Sequence, residues 1–328
     1  MSLLLSLLLM ACGRTPLPLP APEPTPISRT WRSLSVGYER ACAIDPRGTL
    51  WCWPAAGPGA GLFTNPNAGE PFTPKRIDSS EWSVVSVGPF LACALKTDGS
   101  LWCLGRNASG ILGPTLTEDA PLTHLGDGYV DVTAGSGYAC ALTVDGAMDC
   151  FGAPDWHENL TLLTPVDRSA PRRIAGHFRQ LASSWYETAA LTLDGKLLVA
   201  ENDDAFVPWA ADQRFRDVAV GWGTIVAQTE AGALVSLKSA DDVHALEGAA
   251  PFSANDGPVT SVDGGIELGG WYGGLLELTP DDASHLVRLG ASHDGVCFER
   301  SIAAWQDDVI ECAFRTMSGF DRRALTFP

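Results

Sequence analysis

The sequence carries little positive charge. Its 328 residues include 22 lysines and arginines against 39 aspartates and glutamates, and the formal net charge at pH 7 is −17. No cluster of basic residues interrupts this acidic background. Because nucleic acids and anionic membranes are recognised largely through lysine and arginine, the composition argues against nucleic acid and against charge-driven membrane binding.

Common catalytic signatures are also missing. The sequence has no His-Glu-x-x-His, no Gly-x-Ser-x-Gly, no P-loop and no dinucleotide-binding glycine pattern. The histidines at 124, 157, 177, 244, 285 and 293 lack the spacing of metal ligands. Adjacent acidic pairs such as Asp203-Asp204 match no calcium-binding loop. We therefore expect a protein that is not an enzyme and that binds no metal and no cofactor.

What the sequence does contain is a repeated hairpin. Its best copy is Cys93-Ala-Leu-Lys-Thr-Asp-Gly-Ser-Leu-Trp-Cys103, with Asp98-Gly99 between two apolar runs. Asp-Gly between β-prone runs predicts a hairpin, and pairing Cys93 with Cys103 leaves residues 97–99 as a loop that ends on glycine. Further copies, of which the first two carry cysteines at the same spacing, start at Cys42, Cys140, Ala189 and Ile225.

Each copy is preceded by one more predicted strand, with the pattern aromatic-x-x-Val/Leu-x-small. These strands are residues 31–36, 82–87, 129–134, 178–183 and 215–220, and they start 51, 47, 49 and 37 residues apart. A period of about 35–50 residues made of short strands is typical of a β-propeller.

The repeat resembles that of the regulator-of-chromosome-condensation family, most clearly in Leu101-Trp-Cys-Leu-Gly-Arg-Asn-Ala-Ser-Gly-Ile-Leu-Gly113. The resemblance implies an all-β, seven-bladed β-propeller with four short antiparallel strands per blade. It places blade six at residues 258–278, with a hairpin turn either at Asp263-Gly264 or near Trp271-Tyr272, and blade seven at 286–314. For ring closure we expect either residues 323–327 to pair into blade one or residues 27–30 to pair into blade seven.

The nine cysteines divide into Cys12 and eight others at matched positions. In an exported chain, which the first residues of the sequence indicate, an even set predicts disulfides, here in disulfide-stapled hairpins. Zinc is the alternative, and it is disfavoured because no pair has the Cys-x-x-Cys spacing. The predicted pairs are Cys42–Cys52, Cys93–Cys103, Cys140–Cys150 and Cys297–Cys312.

The start of the chain resembles a lipoprotein signal peptide. Residues 1–11 are an apolar run too short to span a bilayer, and Leu9-Met-Ala-Cys12 resembles a bacterial lipoprotein cleavage box with Cys12 as the lipidated residue. No lysine or arginine precedes the run, so a secretory signal cut elsewhere is the alternative. Gly13 replaces the aspartate that usually retains lipoproteins in the inner membrane, which favours the outer membrane.

Proline occupies every second position over residues 16–26, which predicts an extended linker over residues 13–29. On a polyproline rise of ~3.1 Å per residue, these residues reach up to ~50 Å. The sequence thus predicts a signal peptide over 1–12, a linker over 13–29 and one propeller domain over 30–328. We expect an exported monomer that contacts the membrane of the cell envelope only through its lipid anchor.

One set of loop residues predicts a binding surface. Between the first and second strand of each copy lies a short loop that carries an aromatic residue, and equivalent loops of a propeller emerge on one face. Partly polar aromatic side chains are effective interface anchors. The alternative is structural packing in place of a histidine that the family often has there. The expected ring consists of Tyr38, Phe90, Tyr138, Trp185, Tyr186 and Trp222.

A second resemblance concerns this ring. The secreted bacterial β-lactamase inhibitor with a propeller fold uses aromatic loops on one face to hold its target. We therefore expect a non-catalytic module that binds a protein or another surface ligand in the cell envelope. The first alternative is an inhibitor of a secreted or envelope enzyme, and the second is an envelope enzyme acting on glycan or peptide.

Overall fold

The computed structural model describes residues 31–54, 73–114, 120–152, 169–201 and 205–246, except 39, 108, 186 and 222–223. Beyond these ranges it describes the backbone of the strands between 249 and 324, the side chains of Ile310 and Cys312, and the residues Leu325 and Phe327. The predicted signal peptide, Cys12 and the proline-rich linker lie outside the described residues.

Every regular element among the described residues is a β-strand, and the strands form four-stranded antiparallel sheets. Sheet 1 contains β1 (Ser33–Val36), β2 (Arg40–Ile44), β3 (Leu50–Pro54) and β4 (Lys75–Asp78). Sheet 2 contains β5 (Trp82–Val87), β6 (Leu91–Lys96), β7 (Leu101–Gly105) and β8 (Ala120–Gly126). Sheet 3 contains β9 (Tyr129–Ala134), β10 (Tyr138–Thr143), β11 (Met148–Gly152) and β12 (Arg172–Ile174).

The later sheets repeat this arrangement. Sheet 4 contains β13 (Phe178–Ser183), β14 (Thr188–Thr192), β15 (Leu197–Glu201) and β16 (Ala205–Trp209). Sheet 5 contains β17 (Phe215–Gly221), β18 (Thr224–Thr229), β19 (Leu234–Leu237) and β20 (Val243–Leu246). Sheet 6 contains β21 (Ala249–Phe252), β22 (Val259–Val262), β23 (Gly265–Leu268) and β24 (Gly274–Glu277). Sheet 7 contains β25 (Leu286–Ser292), β26 (Gly295–Arg300), β27 (Val309–Thr316) and β28 (Gly319–Ala324).

The first strand of each sheet is its inner strand, and the inner strands contact one another in chain order. β1 contacts β5, and the contacts continue through β9, β13, β17 and β21 to β25, which contacts β1 again. Where side chains are described, buried apolar clusters lie between neighbouring sheets, because each sheet buries its faces against the sheets beside it. We call the space that the inner strands surround the channel.

The two ends of the channel differ. The backbone N–H that opens each of the inner strands β5, β9, β13 and β17 donates to the carbonyl of the turn glycine between strands two and three of the preceding sheet, as in Trp82 to Gly48 (2.9 Å) and Phe178 to Gly146 (2.8 Å). Inner strands therefore start at the end where these turns lie, which we call the turn face. They finish at the opposite end, where the loops between strands one and two lie, which we call the loop face.

The predicted hairpin is confirmed in sheet 2. Cys93 lies opposite Cys103, and Leu95 lies opposite Leu101. Lys96 donates its backbone N–H to the carbonyl of Ser100 (3.0 Å) across the turn, and Gly99 has a φ of +83°, which glycine adopts without steric cost. The sequence pattern therefore predicted the register as well as the fold.

Where both side chains of a predicted pair are described, the disulfide is present, namely in Cys42–Cys52, Cys93–Cys103 and Cys140–Cys150. They connect strands two and three of sheets 1, 2 and 3, with a Cα–Cα distance of 4.1 Å in each pair. In sheet 7 the backbone register places Cys297 opposite Cys312, and Cys312 is disulfide-bonded.

Two sequence expectations need correction. Sheet 6 begins at Ala249, earlier than the predicted 258, and both candidate turns are used, since 263–264 connect β22 to β23 and 269–273 connect β23 to β24. The pairing of residues 323–327 into the first sheet is wrong. Arg323 lies opposite Cys312 within sheet 7, and Leu325 donates to the carbonyl of Ile310 (2.9 Å). Residues 27–30, the other candidates, lie outside the described residues.

Side-chain packing brings sheets 1 and 7 together. The Phe327 ring centroid lies 4.5 Å from that of Trp31, 5.6 Å from that of Trp51 and 5.8 Å from that of Trp53. The three tryptophans are buried, and their cluster includes Ile310 of β27. Aromatic packing therefore joins the sheet that contains β1 to the sheet that contains β28.

Candidate functional site

The candidate site lies at the loop face, where three aromatic side chains meet. Tyr38 lies in the β1–β2 loop, Phe90 in the β5–β6 loop and Trp185 in the β13–β14 loop. The ring centroids of Tyr38 and Phe90 are 6.1 Å apart, those of Tyr38 and Trp185 are 5.7 Å apart, and those of Phe90 and Trp185 are 5.4 Å apart. All three pairs are edge-to-face, a favourable arrangement for aromatic rings. We call these residues the aromatic trio.

The trio reaches across the end of the channel. Sheets 2 and 3 lie between sheets 1 and 4 on one side of the ring, and sheets 5, 6 and 7 lie between them on the other. A direct contact between Tyr38 of sheet 1 and Trp185 of sheet 4 therefore spans the channel end. All three side chains remain partly exposed, so they present a surface at the loop face.

Glycines that follow the inner strands allow this convergence. A Cβ added to Gly37 would lie 2.0 Å from the carbonyl oxygen of Gly88, and a Cβ added to Gly88 would lie 2.5 Å from the carbonyl oxygen of Gly135. These distances are far below van der Waals contact. Successive loops therefore approach one another closely because glycine has no side chain, which narrows the channel end beneath the trio.

Arg106 supports one member of the trio, and sequence analysis did not single it out. Its guanidinium carbon lies 4.2 Å from the centroid of the Phe90 ring, within the range of a cation–π interaction. Its backbone N–H donates to the carbonyl of Phe90 (2.9 Å). Phe90 precedes β6 and Arg106 follows β7, so their contact joins two separate segments of sheet 2. No local sequence pattern predicts it.

Tyr138 does not share the exposure of the trio, and the prediction that it belongs to an exposed ring is wrong. Only 5% of its surface is exposed. The physical reason is its position, since Tyr138 is the first residue of β10, whereas Tyr38, Phe90 and Trp185 precede their strands. Tyr186 and Trp222, the other two predicted members, lie outside the described residues.

Polar side chains connect the inner strands along the channel. Ser35 of β1 accepts a hydrogen bond from the backbone N–H of Val87 (2.9 Å), and Ser86 of β5 accepts one from Ala134 (3.0 Å). Each serine occupies the fifth position of its aromatic-x-x-Val/Leu-x-small pattern, counted from Trp31 and from Trp82. The repeat pattern therefore places a side chain of one sheet against the backbone of the next.

Asp131 of β9 plays the same part between sheets 3 and 4. Its carboxylate accepts the backbone N–H of Val132 (2.9 Å) and a backbone hydrogen bond from Leu181. Burial raises the pKa of Asp131 to about 6, although these hydrogen bonds act in the opposite direction. The group is therefore held by backbone donors in the wall of the channel.

Asn107 follows β7 and its side chain is buried. Its side chain accepts the backbone N–H of Leu112 (2.8 Å) and donates to the carbonyl of Gly113 (2.9 Å). These bonds fold the segment after β7 onto itself, and Ile111 of this segment is fully buried between sheets 2 and 3. The asparagine therefore organises a loop at the loop face.

Two further properties of the described residues bear on function. They include no group of three or more histidine, cysteine, aspartate or glutamate side chains that could hold a metal ion. The part of the chain that the structure describes contains no helix long and apolar enough to cross a membrane.

No protein-family model and no curated protein sequence matches the chain. Solved structures do match, and yeast RCC1 (Prp20), solved bound to Kap60, is similar at 15% identity over 76% of this chain and 67% of that chain, with a TM-score of 0.52. The chain folds as an RCC1-like β-propeller.

Two other structures extend the likeness. The WD40 β-propeller domain of Doa1 is similar at 11% identity over 89% of this chain and 95% of that chain, with a TM-score of 0.53. PorZ of Porphyromonas gingivalis, a bacterial surface component of the type-IX secretion system, is similar at 10% identity over 92% of this chain and 38% of that chain, with a TM-score of 0.54. At these identities the likeness concerns the fold, and the function has to be argued from the site.

Proposed function

We propose that the chain is a non-catalytic module that binds a protein of the bacterial cell envelope through the loop face. The observation that carries this proposal is the aromatic trio, in which partly exposed rings from sheets 1, 2 and 4 meet over the channel end. Aromatic residues with restrained rotamers lose little side-chain entropy when a partner covers them. A preformed aromatic cluster therefore suits capture of another surface.

Loop length supports the same face. The connections between strands three and four also emerge there, because strands one and three run in the same direction. In sheets 1 and 3 these connections span residues 55–74 and 153–171. The turns between strands two and three of the same sheets, which lie on the turn face, are short. In repeat proteins, insertions concentrated on one face often mark the binding face.

The geometry of the trio favours a protein over a small molecule. Small ligands bind in concave pockets that bury most of their surface, but ring contacts of 5.4–6.1 Å fill the channel end between sheets 1, 2 and 4. In this part of the channel end the rings offer an aromatic surface and not a deep mouth. The yeast propeller RCC1 (Prp20), which was solved with the protein Kap60 bound to it, supports protein binding by a propeller in general.

The absence of a catalytic role is part of the proposal. An enzyme acting on glycan would need paired carboxylates near one substrate site, one of them with a raised pKa. Asp131 has such a pKa, but its oxygens accept backbone N–H groups of sheets 3 and 4. The Asp131 carboxylate therefore connects sheet 3 to sheet 4.

We further propose that the seven sheets are the blades of one closed propeller. We also propose that the protein is exported and anchored in the outer membrane by a lipid on Cys12. Cyclic contacts among the inner strands and the packing of Phe327 on Trp31 support closure. Disulfides in three hairpins support an oxidising compartment. Because β1 starts at the turn face, a linker before residue 31 would leave the trio directed away from the membrane.

Inhibition of a secreted or envelope enzyme is the second candidate. The covered, aromatic channel end is the feature that favours it, since a surface of this kind can lie against a substrate cleft. The identity of the captured partner decides between inhibition and simple binding, because only the former predicts that the partner's activity falls on binding.

The test compares full-length wild-type protein with two tryptophan variants in capture from envelope extract of the source organism. Trp185→Ala removes a trio member, whereas Trp102→Ala removes another partly exposed tryptophan whose Nε1 donates to Ser100 (3.0 Å). We expect wild type and Trp102→Ala to capture the same protein and Trp185→Ala to lose at least about 10-fold in affinity. Equal capture by a folded Trp185→Ala would refute the proposed role of the trio.

A further inference from the structure

We propose that Tyr138 is a positioning residue for Trp185, and so determines the shape of the aromatic trio. The inference rests on the proposed function only for its consequence, namely an effect on partner binding. The positioning itself rests on the hydrogen bonds between sheets 3 and 4, and it can be tested without a partner.

The Tyr138 hydroxyl lies against both ends of the loop that carries Trp185. Its oxygen is 3.3 Å from the carbonyl oxygen of Ser184 and 3.0 Å from that of Glu187, so its hydrogen is shared between these two acceptors. The same oxygen accepts a hydrogen bond from Oγ1 of Thr188 (2.9 Å). A single buried hydroxyl therefore holds the residues before and after Trp185.

A second hydrogen bond holds Trp185 directly. The backbone N–H of Ser136, in the β9–β10 loop, donates to the carbonyl of Trp185 (3.1 Å). The loop of sheet 3 and the first residue of β10 therefore fix three of the four positions from 184 to 187. Trp185 carries its ring into the trio from a backbone that the neighbouring sheet holds in place.

Gly135 provides the space that the Tyr138 ring occupies. A Cβ at position 135 would lie 2.1 Å from Cε1 of Tyr138 and 2.6 Å from its hydroxyl oxygen. The ring therefore lies flat over this glycine, which directs its hydroxyl towards sheet 4. Gly135, Ser136 and Tyr138 thus each contribute to the position of the Trp185 loop.

Positioning affects binding through entropy. A side chain that is already fixed before the partner arrives loses less freedom on binding than one on a mobile loop. If the Tyr138 hydroxyl is removed, the ring of Trp185 should sample more positions in the free protein. We expect partner affinity to fall roughly 2- to 10-fold, which corresponds to ordering one loop side chain.

Tyr129 provides a matched control in the same sheet. Its hydroxyl is also buried and donates to Oδ2 of Asp149 (3.1 Å), but Tyr129 opens β9 at the turn face. Tyr138→Phe and Tyr129→Phe therefore remove the same group from sheet 3 at opposite ends of the channel. Any general loss of stability should appear in both variants, whereas a change at Trp185 should appear in one.

The experiment records ¹⁹F NMR spectra of full-length protein labelled with 5-fluorotryptophan, with the Trp185 resonance assigned by its loss in Trp185→Phe. We expect Tyr138→Phe to shift and broaden this resonance and Tyr129→Phe to leave it unchanged. Thr188→Val, which keeps the side-chain shape but removes the donor to Tyr138, should move the resonance in the same direction. It also serves as the test if Tyr138→Phe does not fold.

An unchanged Trp185 resonance in a folded Tyr138→Phe, or in folded Thr188→Val if Tyr138→Phe does not fold, would overturn the inference. The second measurement is the capture, by each variant, of the partner that the wild type captures. A moved resonance with reduced capture supports the whole account. A moved resonance with unchanged capture would keep the positioning role of Tyr138 and contradict the binding role of the trio.

Discussion

Replacement of Asp131 by serine should change how the stability of the propeller depends on pH. Asp131 occupies the third position of β9, and its carboxylate accepts backbone N–H groups from Val132 and Leu181. Serine is the native residue at the equivalent position of the first repeat, two residues after Trp31 as Asp131 is two residues after Tyr129, and Ser33 accepts the backbone N–H of Val85 (3.3 Å). Asp131→Ser therefore removes the charge and introduces a group that this repeat already accommodates.

The direction of the effect follows from the raised pKa. Burial favours the protonated form of Asp131 and raises its pKa from 3.8 to about 6. The folded state thus binds the proton more tightly than the unfolded state, so the associated stability is fully present below 3.8 and is lost as pH rises through about 6. Between pH 7.5 and pH 4.5, protonation of Asp131 should contribute about 2 kcal/mol to the free energy of unfolding.

The assay is urea unfolding of wild type and Asp131→Ser at a series of pH values between 7.5 and 4.5. Other groups titrate in both proteins, so the informative quantity is the difference between their free energies of unfolding. We expect the wild type to gain about 2 kcal/mol over the variant as pH falls across this range. A difference that stays constant, or that favours the variant at low pH, would refute the reasoning.

Three further predictions concern stability. Replacing Cys93 and Cys103 together by alanine should lower the free energy of unfolding by roughly 2–3 kcal/mol, the chain-entropy value for a short loop, measured in urea without reductant. Gly88→Ala should cost about 1–3 kcal/mol, because the new methyl group would meet the carbonyl oxygen of Gly135 and backbone cannot yield as a side chain does; an unchanged midpoint would count against the close approach of the loops. Phe327→Ala should cost about 2 kcal/mol by removing the ring that packs on Trp31, and faster limited proteolysis of sheets 1 and 7 would report their separation.

The repeat pattern was enough to predict the local structure. Residues 93–103 contain both strands of their hairpin, the turn glycine and the two cysteines, so every determinant of the register lies within one short segment. The aromatic residue that opens each of the inner strands β5, β9, β13 and β17 is similarly local. Its side chain is buried and its backbone N–H donates to the turn glycine of the preceding sheet, as from Tyr129 to Gly99 (3.1 Å), so the pattern marks where neighbouring sheets join.

Sheet 6 was harder because its sequence lacks these local signals. Its first strand, Ala249–Phe252, does not follow the aromatic-x-x-Val/Leu-x-small pattern, and the sheet has no cysteine pair. Its backbone still pairs in the order of the other sheets. The spacing of the repeat therefore predicts only part of sheet 6, and the predicted start at residue 258 lies after the observed start at Ala249.

Which aromatic residues form the site depends on contacts between residues that are distant in the sequence. A local repeat pattern does not predict such contacts. Tyr38 and Trp185 are 147 positions apart in the sequence, and their contact requires the close approach of Gly37 to Gly88 and of Gly88 to Gly135. Tyr138 begins its strand and is buried, whereas the trio residues precede theirs by one to three positions and remain partly exposed. Whether a loop aromatic is exposed is therefore determined by its position relative to the following strand, which the repeat alignment alone did not fix.

The most direct test of the account is to map which end of the channel touches the partner. The photo-crosslinking amino acid p-benzoylphenylalanine would be placed at Phe90 in the trio, and separately at Thr97, which is exposed on the turn face of the same sheet. Both full-length proteins would be irradiated in envelope extract. We predict that the captured protein crosslinks from position 90 and not from position 97. Crosslinking from position 97 alone would contradict the claim that the loop face is the binding surface.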